Sequence, residues 1–124
     1  MVEENMVNEL LAILFLSREV AHKEHLKTES FAQHMALGSF YEDLIPLADK
    51  LAEVCQGRTG ELITDIPSYS SGSKGNILST LKKLLERVEE TRKECYPDDT
   101  SIQNIIDEIV ALYLSTIYKL TFLK

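Results

Sequence analysis

Apolar residues in this chain recur at steps of three and four, and they do so in four separate segments. That period belongs to one face of an α-helix, so four amphipathic helices are the first constraint on any fold. The first segment, about Asn5 to Lys27, carries Leu10, Leu11, Leu14, Arg18, Ala21, His22 and His25 on one stripe. Ser30 to Gln33 (SFAQ) has the form of a capping box, with the Ser30 hydroxyl accepting from the Gln33 amide and the Gln33 side chain reaching back. A second helix is therefore expected from Phe31 to about Gln56, with Gly57 in the left-handed position after it. Pro46 should kink this helix or loosen one turn, because proline lacks an N–H and crowds the preceding turn. Asn76 caps a third segment, Ile77 to about Glu94, whose stripe is Ile77, Leu81, Leu84, Leu85 and Val88. After a turn at Tyr96 to Asp99, Thr100 to Gln103 (TSIQ) reads as a second capping box. The fourth helix runs to near Leu123 on Ile102, Ile105, Ile106, Ile109, Leu112, Ile117 and Leu120.

The intervening GRTGELITDIPSYSSGSKG, Gly57 to Gly75, is expected to be a long ordered loop with a short extended piece at Leu62 to Ile66. It is too long for a hairpin link. The expected fold is all-α: a single-domain four-helix bundle, residues 1–124, with a long connection between helices two and three, as in ferritin-like folds. At 124 residues and 44% apolar, the chain can build one core without disulfides or metals.

Charge and cysteine usage exclude several classes. With 20 acidic and 13 basic residues the net charge is -7, which argues against a nucleic-acid partner. Cys55 and Cys95 fit neither a disulfide framework nor a zinc motif, and read as free thiols of a reducing cytoplasm. The acidic amino terminus does not have the form of a signal peptide, and no apolar run is long enough to span a membrane. No serine or cysteine pairs with a plausible base, so hydrolase chemistry has no support.

All three histidines fall within His22 to His34. His22 and His25 lie one turn apart on one face of helix one, and the short LKTES link can fold His34 back beside them. Asp49 and Glu53, at i and i+4, set two carboxylates side by side on helix two. Two imidazoles and two carboxylates suit iron, manganese or zinc. Fifteen residues separate His34 from Asp49, about 22 Å of helix, so one chain cannot close such a site. Two copies with antiparallel second helices could. The plainer alternatives are a hydrogen-bonded core for the histidines, and ion pairing of Asp49 and Glu53 with Lys50 or Arg58. Tyr41, Tyr113 and Tyr118 are expected in the core.

The run H-x-x-H-x-x-T-x-S-F-A-Q-H-x-A-L-G-x-F-Y-E-x-L-x-P-L-A-D-K-L-A-E, His22 to Glu53, resembles the first two helices of the Dps-like branch of the ferritins. The resemblance implies an inter-subunit iron site with His34, Asp49 and Glu53 as ligands and a helix-one histidine as the fourth. His22 keeps ungapped spacing, and His25 fits if the loop is shorter here. The chain is also similar to a small family of phage proteins with an H-W-x-T-x-S-x-A-x-H-x-A-x-G-x-x-Y motif and a terminal helix like DEIVALYLSTIYKLTFL. There are departures from the Dps-like pattern. Gly38 stands where many Dps-like proteins carry a further carboxylate, no tryptophan follows the first histidine, and there is neither a lysine-rich tail nor an E-x-x-H. The resemblance thus implies a homo-oligomer, a two-fold dimer or larger, with at most a weak ferroxidase activity.

A second candidate is the loop Ser68 to Asn76. Ser71, Gly72, Lys74, Gly75 and Asn76 precede a helix N-terminus, where free N–H groups favour anions such as phosphate or nucleotide. The alternative function is accordingly a non-catalytic oligomer that sequesters a small ligand, such as a nucleotide signal of host defence, or that binds a protein partner. The plainer reading of this loop is a linker that caps helix three. Last, Phe31, Met35, Leu37, Phe40, Leu44, Ile45, Leu47, Leu51 and Val54 cover more than one face of helix two, which predicts a dimer through that helix with Gly38 and Ala48 at its contact.

Overall fold

The computed structural model describes residues 2–70 and 75–124, with side chains from Met6 onward. It is all-helical: α1 (Val2–Lys27), α2 (Phe31–Thr59), α3 (Ile77–Thr91) and α4 (Thr100–Phe122), with a short 3-10 turn at Arg92–Glu94. The stripes explain the packing. Leu10, Leu11, Leu14 and Ala21 of α1, Leu37, Phe40, Leu44, Leu51 and Cys55 of α2, and Ile102, Ile105, Ile106 and Ile109 of α4 share one core with the whole predicted stripe of α3. Tyr113 crosses the bundle from α4, donates to Ser17 Oγ at 2.6 Å and meets the Phe40 ring edge-on at 5.0 Å. Burial pushes its phenol well above the ordinary tyrosine range.

α1 and α4 each pack against both α2 and α3. Every neighbouring pair is antiparallel. Glu9, early in α1, pairs with Arg87, late in α3 (2.9 Å). Arg58 at the end of α2 pairs with Asp99 at the start of α4 (2.7 Å). α2 and α3 therefore point the same way, and the connection between them must return along the bundle. Its described residues 61–70 have no regular structure. Ile63 and Ile66 pack on the core, Asn8 donates to the Asp65 carbonyl at 2.8 Å, and Tyr69 donates to Glu9 at 2.5 Å beneath the Arg87 guanidinium. Leu62, expected in an apolar extended piece, faces solvent.

Several local expectations need correction. α2 runs three residues past Gln56, and the left-handed cap is Gly60 (φ 74°), not Gly57. The Gly60 amide closes the last turn on the Gln56 carbonyl. The helix is continuous through Pro46. α4 is capped by Asp99, which accepts from the Ile102 amide, so Thr100 is the first helical residue rather than the cap. Gln103 instead ties down the 3-10 turn. It accepts from Arg92 and donates to the carbonyls of Arg92 and Cys95. The first box is half right. Ser30 Oγ accepts from the Gln33 amide at 3.1 Å, but Gln33 accepts from the Thr28 hydroxyl instead of reaching back. Tyr118 lies outside the core, with Leu114 and Phe122, on the solvent side of α4. Gly38 and Ala48 are buried within the single chain, so neither can form the surface contact between two copies. Among the described residues, no helix is long and apolar enough to cross a membrane.

Candidate functional site

The α1–α2 junction gathers the three histidines. The capped start of α2 folds it back so tightly that His25 and His34 face each other across the link. Their rings stack, 3.8 Å between centroids and 16° from parallel. His25 Nδ1 lies 2.7 Å from the His34 carbonyl, and His34 Nδ1 lies 2.8 Å from the His25 carbonyl. A carbonyl only accepts, so each Nδ1 must carry the proton. Each ring is thereby anchored through its Nδ1, and among the described residues neither Nε2 has a hydrogen-bond partner. His22 stacks on Tyr41 at 4.2 Å, and Tyr41 presents its edge to His25 at 5.4 Å. All four rings are half-buried.

The cluster thus contains a residue assigned to the core from sequence, Tyr41, and a second, Gly38, that was expected at a contact between two copies. Gly38 lies buried against the face of the His25 ring. The available signal was a glycine inside a helix, which costs about 1 kcal/mol relative to alanine and implies a packing reason.

Asp49 and Glu53 are not part of this cluster. Both are exposed, about four and five turns beyond His34 along α2. Among the described residues, neither has an ion-pair partner. The expected partners are engaged elsewhere, Lys50 with Glu108 at 3.8 Å and Arg58 with Asp99. Asp49 lines a shallow groove with Leu14, Phe15, Arg18, Leu44, Ile45 and Ala48. Among the described residues, no three histidine, cysteine, aspartate or glutamate side chains come together to hold a metal ion.

Of the second candidate, Ser71, Gly72 and Lys74 lie outside the described residues. Asn76 is the α3 cap, its side chain accepting from the Ser79 amide at 2.8 Å. Gly75 shares a groove with Val20, Lys23, Glu24, Lys27, Ile77 and Thr80. The two lysines there pair with Glu19 and Glu24 of their own helix.

The opposite end of the bundle is closed. Cys55 and Cys95 are free and buried. Burial, and secondarily the charge of Asp99, pushes the Cys55 thiol up to about 11; burial and the neighbouring Cys55 push Cys95 up to about 12. Partial desolvation alone would raise the Asp99 carboxyl, but Arg58 and the amides of Ile102 and Ser101 hold it below the usual carboxylate range. These thiols are poor nucleophiles at neutral pH.

No curated protein and no solved structure matches the chain. A family model does match, over residues 25–120, a span that takes in His25, His34, Asp49, Glu53 and all of α2, α3 and most of α4. The chain belongs to the family of unknown function DUF5856.

Proposed function

We propose that this chain is a ferritin-like bundle of the Dps-like type, phage-type in origin, which assembles through the α1–α2 face and binds a metal ion between copies. The observation that carries the reading is the tautomer lock. Metal-ligating histidines characteristically donate their other ring nitrogen to a backbone carbonyl, which orients the ring and frees the ligating nitrogen. His25 and His34 both have that arrangement. His34, with His22 as the helix-one histidine because the His25 ring is stacked parallel to His34, would hold the ion from one copy, and Asp49 and Glu53 from the other. These donors fit iron, zinc or manganese. The ion, when bound, supplies Lewis acidity or, if iron, electron transfer, and weak ferroxidase activity is the most enzymatic form of this reading.

The face that would meet a second copy carries apolar side chains in the open. Phe31 is 76% exposed, Met35 52%, Phe15 42% and Ile45 39%. Exposure of several large apolar groups on one side favours an interface. Asp49 and Glu53, which have no ion-pair partner among the described residues, lie on the same helix, as a shared site requires.

The test is elemental analysis and light scattering on protein purified without chelator. The expected outcome is a dimer or larger assembly with stoichiometric metal, and a D49N/E53Q variant that keeps its assembly and loses the metal. A 14.1 kDa monomer overturns the reading. So does unchanged metal uptake by the double variant. The second reading, a small anion held at the start of α3, is favoured by Lys23 and Lys27 beside Gly75. A co-purified ligand absorbing near the nucleotide maximum would select it.

A further inference from the structure

We propose that the groove between α1 and α2 is a self-complementary docking face for a second copy of this chain, in which Arg18 of each copy pairs with Asp49 of the other. The inference rests on the assembly part of the reading above and needs no metal.

The groove holds about 200 Å3. Leu14 and Leu44 line it as buried residues, and Phe15 and Ile45 line it while 42% and 39% exposed. An apolar space of about 150 Å3 holds a benzene ring, so a phenyl group arriving from outside has room. Arg18 and Asp49 line the same groove, and both are exposed. Among the described residues neither has an ion-pair partner.

The two charges name the occupant. An acidic partner would answer Arg18 and oppose Asp49, and a basic partner the reverse. A copy related by a two-fold axis answers both, because such a contact makes every pairing twice. The register permits it. α1 and α2 are antiparallel neighbours. Arg18 lies three residues from Phe15 toward the histidine end, about 4.5 Å along the helix, and Asp49 lies four residues from Ile45 away from that end, about 6 Å. Within one chain the two charges therefore sit toward opposite ends of the groove. A two-fold axis across the groove reverses height along the helices, so Arg18 of one copy comes level with Asp49 of the second.

Matched charges at the edge of a contact add little affinity, whereas like charges brought together cost far more. Charge reversal is therefore the sharp probe, read by sedimentation of the full chain, with circular dichroism to show that each variant is folded. Wild type should dimerise. R18D alone and D49R alone should each dimerise at least about tenfold more weakly, because each sets like charges against one another twice. An equimolar mixture of the two variants restores both pairs and should form a one-to-one heterodimer about as tight as wild type. A wild-type dimer that either reversal leaves intact, or a mixture no tighter than its components, overturns the docking face and leaves assembly through another surface standing. Restored dimerisation without bound metal upholds the docking face and removes the metal reading alone. A wild-type monomer overturns both. If a variant fails to fold, isotope-filtered NMR on a mixture of labelled and unlabelled wild type decides the matter. Contacts should run from the Phe15 ring of one copy to Phe15 or Ile45 of the second, and their absence overturns the proposal.

Discussion

The two ends of this bundle treat their polar groups in opposite ways. At the end built from the last turns of α2 and the Arg92–Glu94 hook, donors and acceptors answer one another inside the chain. Arg58 pairs with Asp99, Asp99 caps α4, Gln103 bonds to the carbonyls of Arg92 and Cys95, and the Cys95 thiol donates to the Thr91 carbonyl. At the histidine end the Nδ1 protons of His25 and His34 are satisfied, but the opposite edges of the same rings have no hydrogen-bond partner among the described residues. Buried polar groups are normally hydrogen-bonded. A half-buried cluster with ligating atoms left over is therefore the place to look for something the chain binds, while the cysteine end is a closure device.

Three measurements break or sharpen that contrast. The largest effect is expected from Leu51→Ala, which empties a buried site in the half of α2 that leads to the cysteines. Denaturant unfolding should show a loss of about 2–5 kcal/mol. A loss below about 1 kcal/mol would mean that this end is not the tightly packed one. The second effect concerns alkali. Both thiols have folded values above their unfolded value near 9, so the stabilisation is fully present below pH 9 and is lost as pH rises through about 11 and 12. At about 1.4 kcal/mol per unit, the decline is on the order of a few kcal/mol. A C55A/C95A variant should lose less stability than wild type over the same pH range, and equal slopes would show that the thiols are not the cause. The smallest effect belongs to the histidine end. Ser30→Ala removes the α2 cap and should cost about 1 kcal/mol. Because the cap holds the turn that faces His34 to His25, the substitution should also disturb the imidazole NMR signals. Unchanged signals would separate the cap from the cluster.

The helices were legible because each face has a period the eye can follow. The α3 stripe, Ile77 to Val88, is buried as its spacing requires. Helix ends were less legible, since Gly57 and Gly60 are equally good glycines and the helix continues to Thr59 before Gly60 closes it. Thr100 and Asp99 are likewise both competent caps, and the Arg58 pairing selects Asp99. The meeting of His25 with His34 could be expected from the short link. That their rings stack and exchange carbonyl bonds could not, because it depends on the side-chain room left by Gly38. The separation of Asp49 and Glu53 from the histidines followed from helix rise alone.

The parallel course of α2 and α3 has a consequence for how the molecule comes together. Each of the two halves, α1 with α2 and α3 with α4, is a helical hairpin contiguous in sequence. Their internal contacts are local, and local contacts form quickly because little loop entropy opposes them. The described part of the connection bonds to the first half, through Asn8 and Glu9 of α1 and Gln56 of α2. Lengthening it raises the closure cost slowly, as the logarithm of its length. Assembly therefore resembles the joining of two prefabricated parts by a tether, in which the histidine cluster belongs wholly to the first part and can take shape before the second arrives.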